Sequence, residues 1–282
     1  MSLIYSANAF RLPVKPSNRG HSTLMSATAV STEVPLAAFK PSKPTLIDMP
    51  VSNNGGRIRF LMYKKGLEDA IDIIPPKELG GLRSPEYLAL NPLGKMPLLV
   101  LPDGTALPES QVIESYLLDK YKGHGPDLLP ETPELRALAA LAARIHDLYI
   151  VPVQGCLYRP MKDAAARAKQ LQEISSQLNV LENLVQGPFF CGNEISYADG
   201  ALMPTFVFLT HILPRHFGWE SVFKGRPKLG NWWNNVSKDP AAAKVIEEIE
   251  AALNGWEADN RWEDKGILAQ VADTSFDWTC GC

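Results

Sequence analysis

The chain has 282 residues, 45% hydrophobic and 21% charged, with a net charge of −3, the profile of a globular protein with one large domain or two ordinary ones. That charge gives no electrostatic case for nucleic acid or an anionic membrane as partner, and no run reaches the roughly 18–20 apolar residues a membrane-spanning helix needs. Cys156, Cys191, Cys280 and Cys282 form no CxxC pair and no spaced ligand set, which argues against a disulfide scaffold and against a metal site.

The N-terminal segment, 1–43, differs from the rest. Arg11, Lys15, Arg19, Lys40 and Lys43 face one acid, Glu33, among dense serines and threonines. Basic, hydroxyl-rich and acid-poor is the transit-peptide composition, with a processing neighbourhood at Met25-Ser26-Ala27-Thr28. The expected destination is the chloroplast. The alternative is a merely disordered N-terminus on a cytoplasmic protein.

From Pro44 the pattern tightens. A strand is predicted over 45–49, then a polar loop over 51–56 bearing Gly55 and Gly56. Residues 57–65 follow as a helix, with Ile58, Leu61 and Met62 at i, i+3, i+4 spacing and Gly66 as its stop. A second strand is predicted over 70–74, ended by Pro75 and Pro76. Ser84-Pro85 opens a helical turn. Strands over 98–101 and 105–107 form a hairpin across Asp103-Gly104, and 109–121 is the next helix. This order predicts an α/β domain over 44–122 with a thioredoxin-like succession of elements. Residues 123–133, rich in Gly, Pro and Glu, read as a linker.

Residues 134–255 read as all-helical: 134–150 ended by Pro152, 163–184 with apolar residues three or four apart, a helix opened by Ser196-Tyr197-Ala198-Asp199, and another opened by Asp239-Pro240. The tail, 256–282, has three tryptophans and no clear period, and either wraps the domain or stays loose. Its final Cys280-Gly281-Cys282 allows prenylation, soft-metal binding or a redox pair, against the plain reading of a solvent-facing tail.

Three features bear on chemistry. Met96-Pro97 precedes an apolar strand; a cis bond there, seen in only about 5–6% of X-Pro cases, would present the Met96 backbone to an extended peptide. Glu109-Ser110 stands at a helix start, either as an ordinary cap or as a pair holding the ammonium and carboxylate of a ligand. Ser52 precedes the first helix, either as a cap or as a hydroxyl that donates to a ligand thiolate. No His/Asp partner makes it a nucleophile.

With these motifs in this order, residues 44–255 resemble a cytosolic-type glutathione transferase, most similar to the serine-type zeta, theta and phi classes. The resemblance implies a thioredoxin-like domain followed by an all-helical domain, with glutathione as co-substrate. It places the catalytic serine on Ser52, with Asn53 as the next candidate. The pre-proline backbone contact falls on Met96, the cis-proline on Pro97, and the γ-glutamyl-binding acid and hydroxyl on Glu109 and Ser110. Lys95 and Arg83 match polar and basic residues that contact the tripeptide in some classes, or are plain surface charges. Ser52-Asn53-Asn54 departs from the zeta pattern of two serines and a cysteine, and no cysteine occupies the loop, as reductase branches require. The implied reaction is attack of the glutathione thiolate on a hydrophobic electrophile or an organic hydroperoxide, in detoxification. The alternatives are a non-catalytic ligand carrier and a glutathione-dependent isomerase of the maleylacetoacetate type. The resemblance also implies a homodimer. Arg144, His146, Asp147, Tyr149 and Tyr158 are candidates for the electrophile pocket.

Overall fold

The computed structural model describes residues 39–281. Most of the expected transit segment, and Cys282, lie outside the described residues. Two compact units are formed. The first holds 39–48 and Asp69–Glu109; the second holds Met49–Glu68 and 110–281.

The first unit contains four strands: β1 (Thr45–Ile47), β2 (Asp72–Ile74), β3 (Leu98–Val100) and β4 (Ala106–Pro108). Their order is β2-β1-β3-β4. β1 and β2 are parallel, with Leu46 beside Ile73. β3 is antiparallel to both its neighbours, pairing Leu99 with Leu46 and with Leu107. A parallel pair needs a long crossover, and the chain between β1 and β2 carries helix α1 (Asn53–Lys64). Proline at the end of β4 is tolerated because β4 is an edge strand. The helical turn expected at Ser84-Pro85 is α2 (Pro85–Leu90), with the Ser84 hydroxyl accepting from the Tyr87 N–H at 3.0 Å. Ile47, Tyr87, Leu90, Leu98 and Val100 form the buried core of this unit.

The second unit is helical: α1, α3 (Ser110–Lys120), α4 (Pro133–Ile145), α5 (Val151–Gln154), α6 (Ala164–Leu184), α7 (Tyr197–His216), α8 (Pro227–Val236), α9 (Pro240–Ala258), α10 (Arg261–Asp264) and α11 (Ile267–Val271). A small mixed sheet followed by a helical half is the thioredoxin-like plus all-helical class expected from the sequence. α7 is buried along most of its length and is the axis on which α1, α4 and α9 pack.

Two expectations are corrected, and the choice left open for the tail is resolved. The first helix begins at Asn53, so Gly55 and Gly56 lie inside it and not in a loop. Glycine costs a helix roughly 0.5–1 kcal/mol relative to alanine, but here bulk is excluded. A Cβ on Gly56 would sit 2.9 Å from the Pro204 Cβ of α7. Pro152 does not end the helix at 150. α4 passes into a π-helical turn, His146–Ile150, and continues as α5, which carries Pro152 as its second residue. The tail is not loose among the described residues. Trp262 Nε1 donates to the Leu157 carbonyl at 2.9 Å and Trp219 Nε1 to the Trp278 carbonyl at 2.8 Å, and Trp262 and Trp278 are both buried. α8 was not anticipated; its Leu229, Trp232 and Val236 supply a short buried stripe.

The Ser196 box is a folding element, as its spacing suggests. Asp199, fully buried, accepts from the Ser196 N–H and hydroxyl at 2.7 and 2.9 Å on one oxygen. On the other it accepts from the Phe190 N–H and from Trp232 Nε1, both at 2.8 Å. One carboxylate thus ties the start of α7 to the preceding loop and to α8. Replacing Asp199 by Ala leaves several buried donors unsatisfied, each costing about 1–3 kcal/mol. A loss of at least about 3 kcal/mol is expected in denaturant unfolding, with turnover per folded molecule unchanged.

Glu114, buried on α3, lies 3.8 Å from Arg57 Nε of α1. Burial pushes its carboxyl up to about 7, and Arg57 only partly offsets this. An unfolded glutamate titrates near 4.3. Between that value and about 7 the folded chain therefore binds more protons than the unfolded one, and this group makes stability fall as pH rises through that window. Glu114→Gln removes the effect: its melting temperature relative to wild type should rise between pH 5 and pH 8. Parallel melting curves for the two proteins would refute the assignment.

Candidate active site

In the first unit, the segment before β3 is held by neighbours rather than by its own turn alone. The Lys95 carbonyl accepts from the Tyr87 hydroxyl at 2.6 Å and from Asn91 Nδ2 at 2.7 Å, while Asn91 Oδ1 accepts from the Leu93 N–H at 3.2 Å. Asn91 is itself buried. The Met96-Pro97 bond is cis. Gly94, at φ +59°, lies beneath the Arg83 guanidinium, whose Nη1 stands 2.6 Å from where a Cβ would project. Arg83, Lys95 and Met96 are therefore brought to one loop, with Arg83 and Lys95 exposed and Pro97 buried. Glu109, which ends this unit, is exposed and adopts φ +70°. That region is uncommon for a residue with a side chain and gathers at ligand clamps.

In the second unit, Ser52 is the N-cap of α1. Its hydroxyl oxygen accepts from the Gly55 N–H at 3.0 Å, and its own hydrogen is not committed to another described residue. The serine is only 6% exposed. Arg59 backs the loop, donating to the Pro50 and Ser52 carbonyls at 2.8 and 3.4 Å while paired with Glu248 at 2.8 Å. Asn53 is differently placed. Its Nδ2 donates to Gln154 Oε1 at 2.7 Å and to Thr205 Oγ1 at 2.9 Å, so both amide hydrogens are spent inside the protein.

Ser110, the first residue of α3, is buried and accepts from Arg57 Nη1 at 3.2 Å. Arg57 is fully buried and reaches Asp147 with two bonds, Nη2 to Oδ1 at 3.1 Å and Nη1 to Oδ2 at 3.2 Å. Its Nε has no hydrogen-bond partner and faces Glu114 beyond bonding distance. Asp147 Oδ1 also meets His146 Nδ1 at 2.8 Å, and His146 Nε2 meets Thr205 Oγ1 at 2.7 Å. Burial tends to raise the Asp147 carboxyl, but the His146 bond and the Arg57 charge outweigh it and hold it low. Burial pushes His146 below its usual range, so the ring is neutral. An ionised carboxylate only accepts, so Nδ1 carries the proton and Nε2 accepts from the Thr205 hydroxyl.

His146 and Asp147 are therefore engaged with Thr205 and Arg57, which turns them away from the expected electrophile pocket. Tyr149 is half exposed on the same π-helical turn, and Tyr158 packs against Phe208 and Trp256 at ring separations of 5.7 and 5.3 Å. Arg57, Arg59 and Asn91 were not singled out by sequence reasoning. Arg57 carried a usable signal: it sits four residues before Leu61 on the apolar stripe of α1, and a charge on such a stripe must find buried partners.

The chain matches two family models, that of the glutathione S-transferase N-terminal domain over residues 51–120 and that of the C-terminal domain over 164–233. It is 33% identical over 217 residues to Glutathione S-transferase 3 of Zea mays, covering 72% of this chain and 93% of the relative. It is 27% identical over 222 residues to Glutathione S-transferase 1 of Triticum aestivum, covering 71% and 92%. Among solved structures, glutathione S-transferase III in its apo form aligns at TM-score 0.60 and 26% identity, over 74% of this chain and 97% of that one. A glutathione S-transferase of Methylobacterium radiotolerans, in complex with glutathione sulfonate, shares the fold at TM-score 0.60 and 22% identity, over 73% and 95%. Matched in both halves, and over nearly the whole length of a relative at one-third identity, the chain belongs to the glutathione S-transferase family.

Proposed function

We propose that this glutathione transferase ionises the thiol of glutathione at Ser52 and directs the thiolate onto a hydrophobic electrophile. The observation that carries the reading is the state of the Ser52 hydroxyl. It already accepts from Gly55 at the N-cap of α1, which leaves its hydrogen to donate outward, at the helix end where the dipole favours negative charge. A free thiol titrates near 8.5. Each unit of lowering corresponds to about 1.36 kcal/mol, and a charge-assisted hydrogen bond supplies about 1.5–3 kcal/mol, which together with the helix dipole makes the thiolate dominant at neutral pH. Asn53 lacks a hydrogen to offer, which favours Ser52 over its neighbour.

Arg83, Lys95, the Met96 backbone before Pro97, Glu109 and Ser110 are proposed to position the tripeptide. Two arginine or lysine charges suit its carboxylates, and the acid suits its ammonium. Positioning makes the encounter effectively intramolecular. The thiolate sulfur then bonds to the electrophilic atom, and the leaving group departs with its electron pair, while the thiol proton passes to solvent. The relative bound to glutathione sulfonate supports glutathione as the thiol donor. A plastid location, from the composition of 1–43, and a homodimer are part of the same reading.

Ser52→Ala is expected to lower turnover of a chlorinated dinitrobenzene about 10- to 100-fold, the equivalent of one charge-assisted hydrogen bond. Retention on immobilised glutathione should persist. Unchanged turnover would sink the assignment of Ser52; retention of the wild-type chain without any turnover would favour a ligand carrier.

A further inference from the structure

Arg57 has two carboxylates within reach and uses them unequally. Asp147 takes two hydrogen bonds at 3.1 and 3.2 Å, whereas Glu114 stands 3.8 Å from Nε with no hydrogen bond between them. The nitrogen that binds Asp147 Oδ2, Nη1, is also the one that donates to Ser110 Oγ. The orientation of the guanidinium toward Asp147 therefore decides whether Ser110 is held at all. Asp147 is fixed in turn by His146 Nδ1–H, and His146 by the Thr205 hydroxyl, which accepts from Asn53. Both residues lie on the π-helical turn His146–Ile150, where the His146 ring meets the Asp147 carboxylate directly.

The direction of each bond has a consequence for Ser110. Arg57 can only donate, so the serine oxygen is occupied as an acceptor and its hydrogen faces away from the guanidinium. Ser110 is thereby kept as an oriented donor, which suits a ligand carboxylate and disfavours a ligand ammonium.

We propose that Asp147, held by His146, is a positioning residue for glutathione: it steers Arg57 onto Ser110 and away from Glu114, so that the Ser110 hydroxyl is presented as a donor to a carboxylate of the tripeptide. This rests on the reading of Ser110 as part of the glutathione site. Neither Asp147 nor His146 touches the ligand in this role.

The test compares Asp147→Asn with Glu114→Gln in the full chain, using glutathione titration and steady-state kinetics with varied reduced glutathione. Asp147→Asn should raise the Kd and KM for glutathione about 3- to 10-fold, the size of one neutral hydrogen bond, while kcat at saturating glutathione changes less than about 2-fold. Glu114→Gln should leave both constants within about 2-fold of wild type, although it removes a more deeply buried carboxylate beside the same arginine. In a Ser110→Ala background the Asp147→Asn effect should vanish, as coupled residues require. If Asp147→Asn does not fold, His146→Asn is read in the same way. Unchanged glutathione affinity in the substituted chain, an equal loss in Glu114→Gln, or full additivity with Ser110→Ala overturns the positioning role while leaving the glutathione assignment intact. Failure of the wild-type chain to bind glutathione overturns both.

Discussion

The guanidinium of Arg57 is the interaction on which much of the second unit depends. It is buried without measurable exposure and holds a bidentate bond to Asp147, a bond to Ser110 and a longer-range pairing with Glu114. Burying a charge is costly unless it is paired and hydrogen-bonded, so α1, α3 and the turn after α4 are constrained to meet at one point. Two carboxylates around one guanidinium leave an excess negative charge, and the protein places it on the group that is easier to neutralise. Asp147 gathers donors and stays ionised, while Glu114 has few and is pushed toward neutrality. The asymmetry of hydrogen bonding, rather than the number of charges, sets which carboxylate is the partner.

α1 extends the same logic along its length. Arg57, Arg59 and Lys65 are all buried, and each is attached to a different element of its unit. Arg57 reaches the π-helical turn and α3. Arg59 reaches Glu248 on α9 and the carbonyls of its own approach loop. Lys65 donates to the Tyr121, His124 and Pro126 carbonyls at 3.2, 2.8 and 3.1 Å, tying down the chain that leaves α3. The apolar side of α1 meanwhile lies so close to α7 that Gly56 and Gly200 admit no side chain without displacing Pro204 and Phe60. A helix that begins with two asparagines and two glycines has poor intrinsic propensity, and tertiary contacts supply what propensity does not.

This explains which parts of the fold were legible beforehand. Elements with a strong local cause were readable: the Ser84-Pro85 start of α2, the Asp103-Gly104 hairpin, the Ser196–Asp199 box and the apolar period of α6. The start of α1 was not, because Gly55 and Gly56 look like loop residues until Pro204 is seen against them. Pro152 looked like a stop because a π-helical turn has no local signature. Ser52, Lys95, Met96, Glu109 and Ser110 stand out as site candidates by their order along the chain and by family resemblance. Arg57, His146 and Asp147 were not placed in one network, since their contacts span 90 residues of sequence and depend on which way a helix turns.

The two serines at helix starts share a design that neither residue reveals alone. Ser52 accepts from a backbone N–H of its own helix, and Ser110 accepts from a guanidinium. A hydroxyl has one hydrogen and two acceptor sites. Filling an acceptor site from inside the protein fixes the oxygen and leaves the hydrogen able to donate. Both hydroxyls then become donors at the positive ends of helices, which matches a ligand offering a thiolate and a carboxylate. Asn53 illustrates the opposite arrangement: with both amide hydrogens consumed, it is a structural strut one residue from the cap. The difference between a hydroxyl able to donate and a buried strut here lies in which hydrogen-bonding capacity the protein leaves unused.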